Sequence, residues 1–294
     1  MTANFEFIKQ QFLETAKKPN TKATYNDQLN VFGQSLFTIA PNAYANVNEL
    51  THLELQQILD ELAKDRRQNS IKNIYQTFKN CMRFAYRKDL VETDFSNVFN
   101  KVQAQSEHKS KKQNLPSKRE IERLQEQLKL DCTSATKLKY RTVIEICLCA
   151  LRVSETLALK WKNIDWQKNT ILMEGEFTKN GETYRQPMNE TVMELLVRLK
   201  PFANSEFVFT TRNGNLITRN SISTFLRQEC KAAGIEPIGC HMLRKWKATN
   251  LFTEKGVPLN LVSKGILHHK QISTTEKYIL HNEDETLEAL KGLM

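Results

Sequence analysis

The sequence lacks a hydrophobic run of the ~18–20 residues that a membrane-spanning helix requires. Its first residues, MTANFEFIKQQFLE, include acidic side chains and no long apolar core, so they do not resemble a secretory signal peptide. The six cysteines are scattered and form no CxxC pair, so neither a disulfide framework nor a zinc finger is indicated. These absences predict a cytoplasmic protein with reduced thiols.

The charge balance is strongly basic. The chain has 294 residues, with 43 lysines and arginines against 33 acidic residues, a net charge of +10. Such an excess favours polyanionic partners, nucleic acid first, because binding releases counterions from the phosphate backbone. A basic protein without such a partner remains the alternative at this stage. We find neither an internal repeat nor a low-complexity segment.

The first ~100 residues carry apolar side chains at helical spacing in four segments. These are Phe5, Ile8 and Phe12; Tyr25, Leu29 and Phe32; Leu55, Ile58 and Leu62; and Ile71, Ile74, Phe78 and Met82. Thr51 and Glu54 form a capping box before the third segment. Basic residues between the apolar stripes, such as Lys72 and Arg83, fit a phosphate-facing surface and hydrated helix faces equally well.

A basic, aperiodic stretch interrupts this pattern. The segment KVQAQSEHKSKKQNLPSK at 101–118 has five lysines and one glutamate and reads as an interdomain linker. It could follow a DNA backbone or serve only as a hydrated connector. We therefore predict a helical domain at 1–104, a basic linker at 105–116 and a second domain at 117–294.

The second domain mixes helices with a few strands. Ser117 and Glu120 form a capping box at its start, and a further helix is expected at about 136–150. The strand-like stretches TILME and ETYRQPM flank TKNG, where the pair Asn180–Gly181 predicts a hairpin with a type I′ turn. A short strand is also predicted for FVF at 207–209.

Six side chains stand out as candidates for chemistry: Arg152, Lys179, His241, Arg244, His269 and Tyr278. Taken singly, each has an ordinary structural explanation, such as capping a helix or packing in the core. Together they match what metal-free phosphoryl transfer requires. Arginines bind phosphate oxygens bidentately, a tyrosine can form a covalent phosphate ester, and histidine and lysine can move protons. The set contains no carboxylate cluster that would hold a metal ion.

The order and local context of these residues resemble the tyrosine recombinase (phage integrase) family. ALRVSETLALKWKNID is similar to the family's first motif, and HMLRKWKATNL, followed by GILHHKQISTTEKYI, is similar to its second. The resemblance covers about 115–285, and all six candidate positions fall within it. On looser grounds, the N-terminal helices resemble the family's SAM-like core-binding domain.

The resemblance implies a role for each matching position. Tyr278 is expected to be the nucleophile that attacks the scissile phosphate. Arg152 and Arg244 would bind its non-bridging oxygens. His241 would act as a base or guide the proton.

Three further roles follow from the same resemblance. His269, nine residues before the tyrosine, would donate a hydrogen bond to a phosphate oxygen. Lys179 matches the hairpin lysine, which would protonate the 5′-oxygen of the leaving strand. Glu155 matches an acidic position of the first motif and would orient its neighbours rather than take part in the chemistry.

Two positions depart from the family pattern. Ala150 and His268 stand where the family usually has glycine, which permits close backbone approach or positive φ. The paired histidines leave open which of His268 and His269 faces the phosphate, and the spacing to Tyr278 favours His269.

The resemblance further implies a mainly α fold with a small antiparallel β-sheet, arranged as a two-domain C-shaped clamp around duplex DNA. The implied function is site-specific recombination of a mobile element, through a 3′-phosphotyrosine intermediate and a Holliday junction. No cofactor, metal ion or ATP is expected. The implied assembly is a homotetramer on DNA, in which the C-terminal helix docks on a neighbouring subunit or packs on its own.

Two other functions use a related residue set. A type IB topoisomerase relaxes supercoils without exchanging strands, although the short chain and compact motif spacing favour a recombinase. A DNA-binding protein descended from a recombinase would lack catalysis, although the six intact positions argue against that.

Overall fold

The computed structural model describes residues 3–105, 108, 115–130 and 134–279, with side chains in the last helix described through Glu276. The chain divides into two compact units, Met1–Gln113 and Asn114–Met294. The described residues form mainly α-helices and one small antiparallel sheet, which confirms the predicted fold class. No helix in this part of the chain is long and apolar enough to cross a membrane.

Among its described residues, the regular elements of the first unit are all helices. Its helices are α1 (Phe5–Glu14), α2 (Pro19–Ile39), α3 (Pro41–Ala45), α4 (His52–Asp65), α5 (Gln68–Arg87) and α6 (Ser96–Asn100). The predicted capping box opens α4, because Thr51 Oγ1 accepts from the Glu54 amide at 3.3 Å and the Glu54 carboxylate accepts from the Thr51 amide at 2.9 Å.

Aromatic packing holds this unit together. Phe32 of α2 and Phe78 of α5 are fully buried, and their rings stack at a centroid distance of 3.9 Å. Phe5 of α1 contacts both rings, with centroid distances of 6.4 Å to each. The apolar stripes recognised in the sequence therefore face one common core.

The second unit contains the remaining helices and the sheet. Its helices are α7 (Lys118–Leu130), α8 (Ala135–Leu148), α9 (Val153–Leu157), α10 (Glu190–Leu199), α11 (Arg219–Ala232), α12 (Cys240–Thr253), α13 (Leu259–Leu261) and α14 (Ile272–Ile279). A π-helical turn at Val262–Ile266 follows α13. Helix α8 is surrounded by other elements, and Ile144, Ile146 and Cys147 on different sides of it are fully buried.

The sheet has three antiparallel strands in the order β1 (Ile164–Asp165), β2 (Thr170–Met173) and β3 (Tyr184–Pro187). In the β2–β3 ladder Ile171 pairs with Gln186 and Met173 with Tyr184. The predicted strand at 207–209 is wrong, because Phe207 makes only an isolated bridge with Lys160. Phe209 is fully buried, so core packing explains the apolar run.

Candidate active site

Arg152 caps helix α9 and is held by a buried carboxylate. Its Nη1 lies 2.8 Å from Glu155 Oε1, and the other carboxylate oxygen accepts from the Arg152 amide at 3.2 Å. The Tyr184 hydroxyl donates to the same Oε2 at 2.8 Å. Glu155 is 1 % exposed and Arg152 is half-buried, so a buried carboxylate fixes the orientation of a partly exposed guanidinium. The orienting role implied for Glu155 stays a prediction.

Arg244 is one turn after His241 on α12, and the two differ in exposure. Arg244 is 2 % exposed, and its terminal nitrogens donate to the carbonyl oxygens of Ala150 and Leu267. The two backbone carbonyl groups therefore fix the orientation of the guanidinium. His241 is exposed at the surface. A guanidinium stays charged even when buried, which a lysine in this position would not guarantee.

Both departures from the family pattern have left-handed backbone conformations. Ala150 has φ 71° and His268 has φ 48°. This region favours glycine, because the Cβ of an L-residue crowds the neighbouring carbonyl. Ala150 itself supplies one carbonyl that holds Arg244, and His268 follows Leu267, which supplies the other. The unusual backbone therefore aims two carbonyl groups at one buried cation.

His269 is fixed by a chain of buried hydroxyl groups. Its amide donates to the Ser263 carbonyl at 3.0 Å, across the π-helical turn. Thr275 Oγ1 donates to Ser263 Oγ at 2.9 Å, so it accepts from His269 Nδ1 at 2.8 Å. Thr275 and Ser263 are fully buried. In the neutral ring the proton is therefore on Nδ1, and Nε2 is the unprotonated nitrogen.

Lys179 is exposed on the β2–β3 connection, which runs from residue 174 to 183. The antiparallel hairpin is confirmed, but the two-residue type I′ turn is wrong, because Gly181 has φ 76° and Asn180 does not have positive φ. A longer loop forms because the Thr178 hydroxyl lies 3.0 Å from two carbonyl oxygens, those of Gly175 and Glu182.

The loop that carries Lys179 is tied to the histidine segment. Asn180 Nδ2 donates to the backbone carbonyl of His268 at 3.1 Å. Gly175 closes the other side of the loop so tightly that a Cβ there would lie 2.5 Å from the Gly181 carbonyl oxygen. The backbone on both sides of Lys179 is thus restrained, while its side chain reaches solvent.

Tyr278 lies in helix α14, three residues after Thr275. Its side chain lies outside the described residues, as do the residues that follow Ile279 and most of the predicted basic linker. Helix α14 begins with the hydroxyl-rich stretch ISTTEKY. Among the described residues, no group of three His, Cys, Asp or Glu side chains could hold a metal ion.

The electrostatics relate five of the six candidates to one another. Partial burial, followed by the positive charges of Arg244 and Arg152, lowers the pKa of His269 to about 4. His241 and Lys179 add smaller effects in the same direction. Although His241 as a whole is exposed, partial desolvation of its ring, followed by the charges of Arg244 and Arg152, also lowers its pKa. Both imidazoles are therefore neutral at pH 7 and lie within a region of concentrated positive charge.

Three site residues were not identified from the sequence: Tyr184, Gln186 and Asn180. Tyr184 and Gln186 occupy β3, where they looked like ordinary strand residues, and Asn180 was read only as a turn former. Their contacts join segments that are distant in the sequence, so no local pattern indicates them. Thr275 had a weak signal in the hydroxyl-rich stretch before Tyr278.

Comparison with known proteins identifies a family and several relatives. Residues 117–285 match the model of the Phage integrase family. The chain is 31 % identical over 156 residues to tyrosine recombinase XerD of Listeria innocua serovar 6a (strain ATCC BAA-680 / CLIP 11262), covering 50 % of this chain and 52 % of that protein. It is 30 % identical over 224 residues to tyrosine recombinase XerC of Pediococcus pentosaceus (strain ATCC 25745 / CCUG 21536 / LMG 10740 / 183-1w), covering 71 % and 70 %.

A solved structure extends the likeness to both units. A lambda integrase tetramer bound to a Holliday junction superimposes with a TM-score of 0.70 at 18 % identity, covering 93 % of this chain and 75 % of that one. At this identity the likeness shows the fold alone. The matched region spans about half of the XerD relative and most of the XerC relative. Together with the family model, which covers more than half of the sequence, these matches show that the chain belongs to the phage integrase family.

Proposed function

We propose that the protein is a site-specific DNA recombinase in which Tyr278 cleaves one strand of its target duplex. The observation that carries this proposal is that buried acceptors hold both Arg152 and Arg244, while Asn180 ties the loop of Lys179 to the segment that carries His269. A phosphodiester whose charge spreads over several oxygens during displacement is stabilised by such fixed cations. Family membership provides the reaction class.

The covalent step conserves the number of phosphoester bonds. The Tyr278 phenolic oxygen attacks phosphorus, a new bond forms between them, and the bond from phosphorus to the 5′-oxygen breaks. The phenolic proton passes to His241, and Lys179 donates a proton to the departing 5′-oxygen. The products are a 3′-phosphotyrosine and a free 5′-hydroxyl. The 5′-hydroxyl of a partner strand then attacks the phosphotyrosine and releases the enzyme.

The bond energy stays in the phosphotyrosine, so we infer that the reaction requires neither ATP nor a metal ion. The two arginines and the lysine would provide the positive charge that a divalent cation provides in other phosphoryl-transfer enzymes. Cleavage in the presence of a chelator, at the rate seen with added Mg²⁺, is the corresponding test. We expect the protein to act in the cytoplasm, where such DNA substrates are found.

His269 would need a proton to donate a hydrogen bond to the phosphate, because Nδ1–H is already directed at Thr275. The incoming phosphate is anionic, so it raises the pKa of a nearby imidazole. We therefore infer that His269 is neutral before DNA binding and takes up a proton on Nε2 as the phosphate enters. Lys179 and the arginines oppose this uptake, so it depends on close contact with the phosphate.

The first unit would act as the DNA-binding domain, with the second as the catalytic domain. Support comes from the outer face of α5, where Lys72, Gln76, Arg83 and Arg87 are exposed at helical spacing. Arginine and lysine suit phosphate contacts, and glutamine can read adenine in the major groove. We also infer a homotetramer on two DNA sites, in line with the tetrameric relative described on a Holliday junction.

A nicked suicide substrate tests the function directly. After cleavage of such a substrate, the short fragment that carries the new 5′-hydroxyl diffuses away. Without this hydroxyl the cleavage step cannot be reversed, and a protein–DNA adduct accumulates. We expect an adduct with the wild-type protein on its own site and none with Tyr278→Phe, which should still bind the site. Binding without adduct in the wild type would favour a DNA-binding protein without catalysis. Relaxation of plasmids that lack paired sites would favour a topoisomerase.

A further inference from the structure

His268 occupies a backbone conformation that a histidine does not readily adopt. It follows the π-helical turn and has φ 48°, in the left-handed region. An L side chain there is strained, and such residues persist where surrounding contacts determine the conformation. Local strain of this kind concentrates at functional sites. The contacts of His268 therefore indicate what the strained residue does.

The imidazole of His268 is held from two directions. Its ring stacks on Tyr184 with a centroid distance of 3.6 Å and an interplanar angle of 24°. Its Nε2 lies 2.9 Å from Gln186 Oε1. Because Gln186 Nε2 donates to the Cys149 carbonyl at 2.8 Å, the amide oxygen faces His268 and Nε2 of the imidazole is the donor.

The backbone on either side of His268 contacts two more parts of the site. The preceding carbonyl, of Leu267, accepts from the buried guanidinium of Arg244. The carbonyl of His268 itself accepts from Asn180, next to Lys179. The following residue is His269. A single left-handed residue therefore lies at the junction of three segments that carry candidate catalytic groups.

A second route leads from the imidazole to Arg152. Tyr184, which stacks on His268, donates its hydroxyl hydrogen to Glu155 Oε2 at 2.8 Å. Glu155 Oε1 in turn lies 2.8 Å from Arg152 Nη1. Glu155 is 1 % exposed, whereas Tyr184 and Arg152 are half-buried, so the carboxylate at the centre of this path is shielded from water. Movement of the His268 ring would be transmitted through Tyr184 to the carboxylate that orients Arg152.

We propose that His268 is a positioning residue for strand cleavage, which sets Arg152 through Tyr184 and Glu155 and sets Lys179 and His269 through its own backbone. The proposal rests on the proposed function of Tyr278 as nucleophile. Tyr184 and Gln186 contribute to the same positioning role, because they hold the His268 imidazole in place. None of the three needs to touch DNA, because each acts through another side chain.

The test measures single-turnover cleavage of the nicked suicide substrate at saturating protein, together with site affinity and thermal unfolding. His268→Gly accepts the left-handed backbone but loses the ring contacts. We expect cleavage to slow about 10- to 100-fold, the scale of small displacements of catalytic groups, with an unchanged dissociation constant for DNA. Asn169→Gly is the matched control, because exposed Asn169 is also left-handed, with φ 50°, at the turn between β1 and β2. It should cleave at the wild-type rate.

A second variant tests the route through Tyr184. Tyr184→Phe keeps the ring that stacks on His268 and removes the hydroxyl that bonds Glu155. It should slow cleavage, and the double variant with His268→Gly should be slowed less than the product of the two single effects, because both interrupt one path. This comparison also separates a positioning role from a simple loss of stability in His268→Gly, because a loss of stability would not depend on the Tyr184 hydroxyl.

The failures are distinguishable. No adduct with the wild-type protein contradicts the proposed function itself. A wild-type adduct combined with a wild-type rate in His268→Gly contradicts only the positioning role. Equal slowing by Asn169→Gly, or fully multiplicative effects of Tyr184→Phe and His268→Gly, also overturns it.

Discussion

Asn180 donates a hydrogen bond to the backbone carbonyl of His268, 88 residues later in the chain, at 3.1 Å. This contact links the loop of the proposed general acid to the segment of the two histidines. An exposed lysine on a hairpin is normally mobile, since its side chain has many rotamers. The hydrogen bond of Asn180 restrains the backbone next to Lys179 and so reduces the range of positions that the lysine can adopt.

We predict that Asn180→Ala slows cleavage about tenfold, because Lys179 is then less often aligned with the 5′-oxygen. The free energy of unfolding should fall by only about 1 kcal/mol, the usual value for one hydrogen bond. A substrate with sulfur in place of the bridging 5′-oxygen provides the control, because a thiolate leaves without protonation. Both Asn180→Ala and Lys179→Ala should approach the wild-type rate on it. Persistent slowing there would contradict an acid role for this loop.

Gly175→Ala should disrupt the same loop from its other side. The added Cβ would lie 2.5 Å from the Gly181 carbonyl oxygen, and backbone cannot rotate away as a flexible side chain can. We expect slower cleavage with retained DNA binding, measured by single-turnover kinetics and fluorescence anisotropy. Gly214→Ala is the control: Gly214 has φ 81° with no atom near its Cβ position, so alanine there adds only about 1–2 kcal/mol of backbone strain. Normal cleavage by Gly175→Ala would show that the tight contact does not constrain Lys179.

Arg244→Ala should affect stability and catalysis together. It removes the donor to the carbonyls of Ala150 and Leu267, and a buried carbonyl left without a partner costs about 1–3 kcal/mol. Loss of one cation at the phosphate should slow cleavage by roughly 10²–10³-fold. Arg152→Ala should slow cleavage to a similar extent. Arg244→Lys should restore little, because an ammonium group cannot reach both carbonyls and a phosphate with fixed geometry. A fast, stable Arg244→Lys variant would rule out this double role.

The DNA-free protein should lose stability as the pH falls from about 6.5 to 4. Burial, followed by the charge of Arg244, lowers the pKa of His268 and of His269 to about 4. An unfolded histidine titrates near pH 6.5, so between these values the unfolded state binds more protons and is favoured by acid. His268→Asn removes one of these titrating histidines and should show a shallower decline in melting temperature. Identical pH dependence in the two proteins would contradict a neutral, half-buried imidazole at position 268.

Much of the fold was accessible from the sequence because it rests on local patterns. The capping boxes at Thr51 and Ser117 form as predicted, and the apolar stripes in the first unit mark its helices. The hairpin was predicted, but its turn was not, because the hydroxyl of Thr178 and the close packing of Gly175 favour a longer loop over a type I′ turn. The strand predicted for FVF at 207–209 is wrong because a short apolar run does not by itself distinguish a strand from another buried segment.

The candidate site followed from the order and spacing of a few residues, but its internal organisation did not. The resemblance drew attention to Ala150 and His268 as replacements of glycine, and both have positive φ. The sequence could not reveal that the side chain at position 268 would contact Tyr184 and Gln186, because those contacts depend on tertiary packing. Roles assigned to individual catalytic residues remain predictions that the variants above will test.

The most direct test of the central claim is to locate the covalent bond between the protein and DNA. The adduct formed on the suicide substrate would be digested with a protease and a nuclease, and the modified peptide identified by mass spectrometry. We predict a nucleotide attached through its 3′-phosphate to the phenolic oxygen of Tyr278. Attachment at any other residue, or stable adduct formation by Tyr278→Phe, would contradict the proposed mechanism.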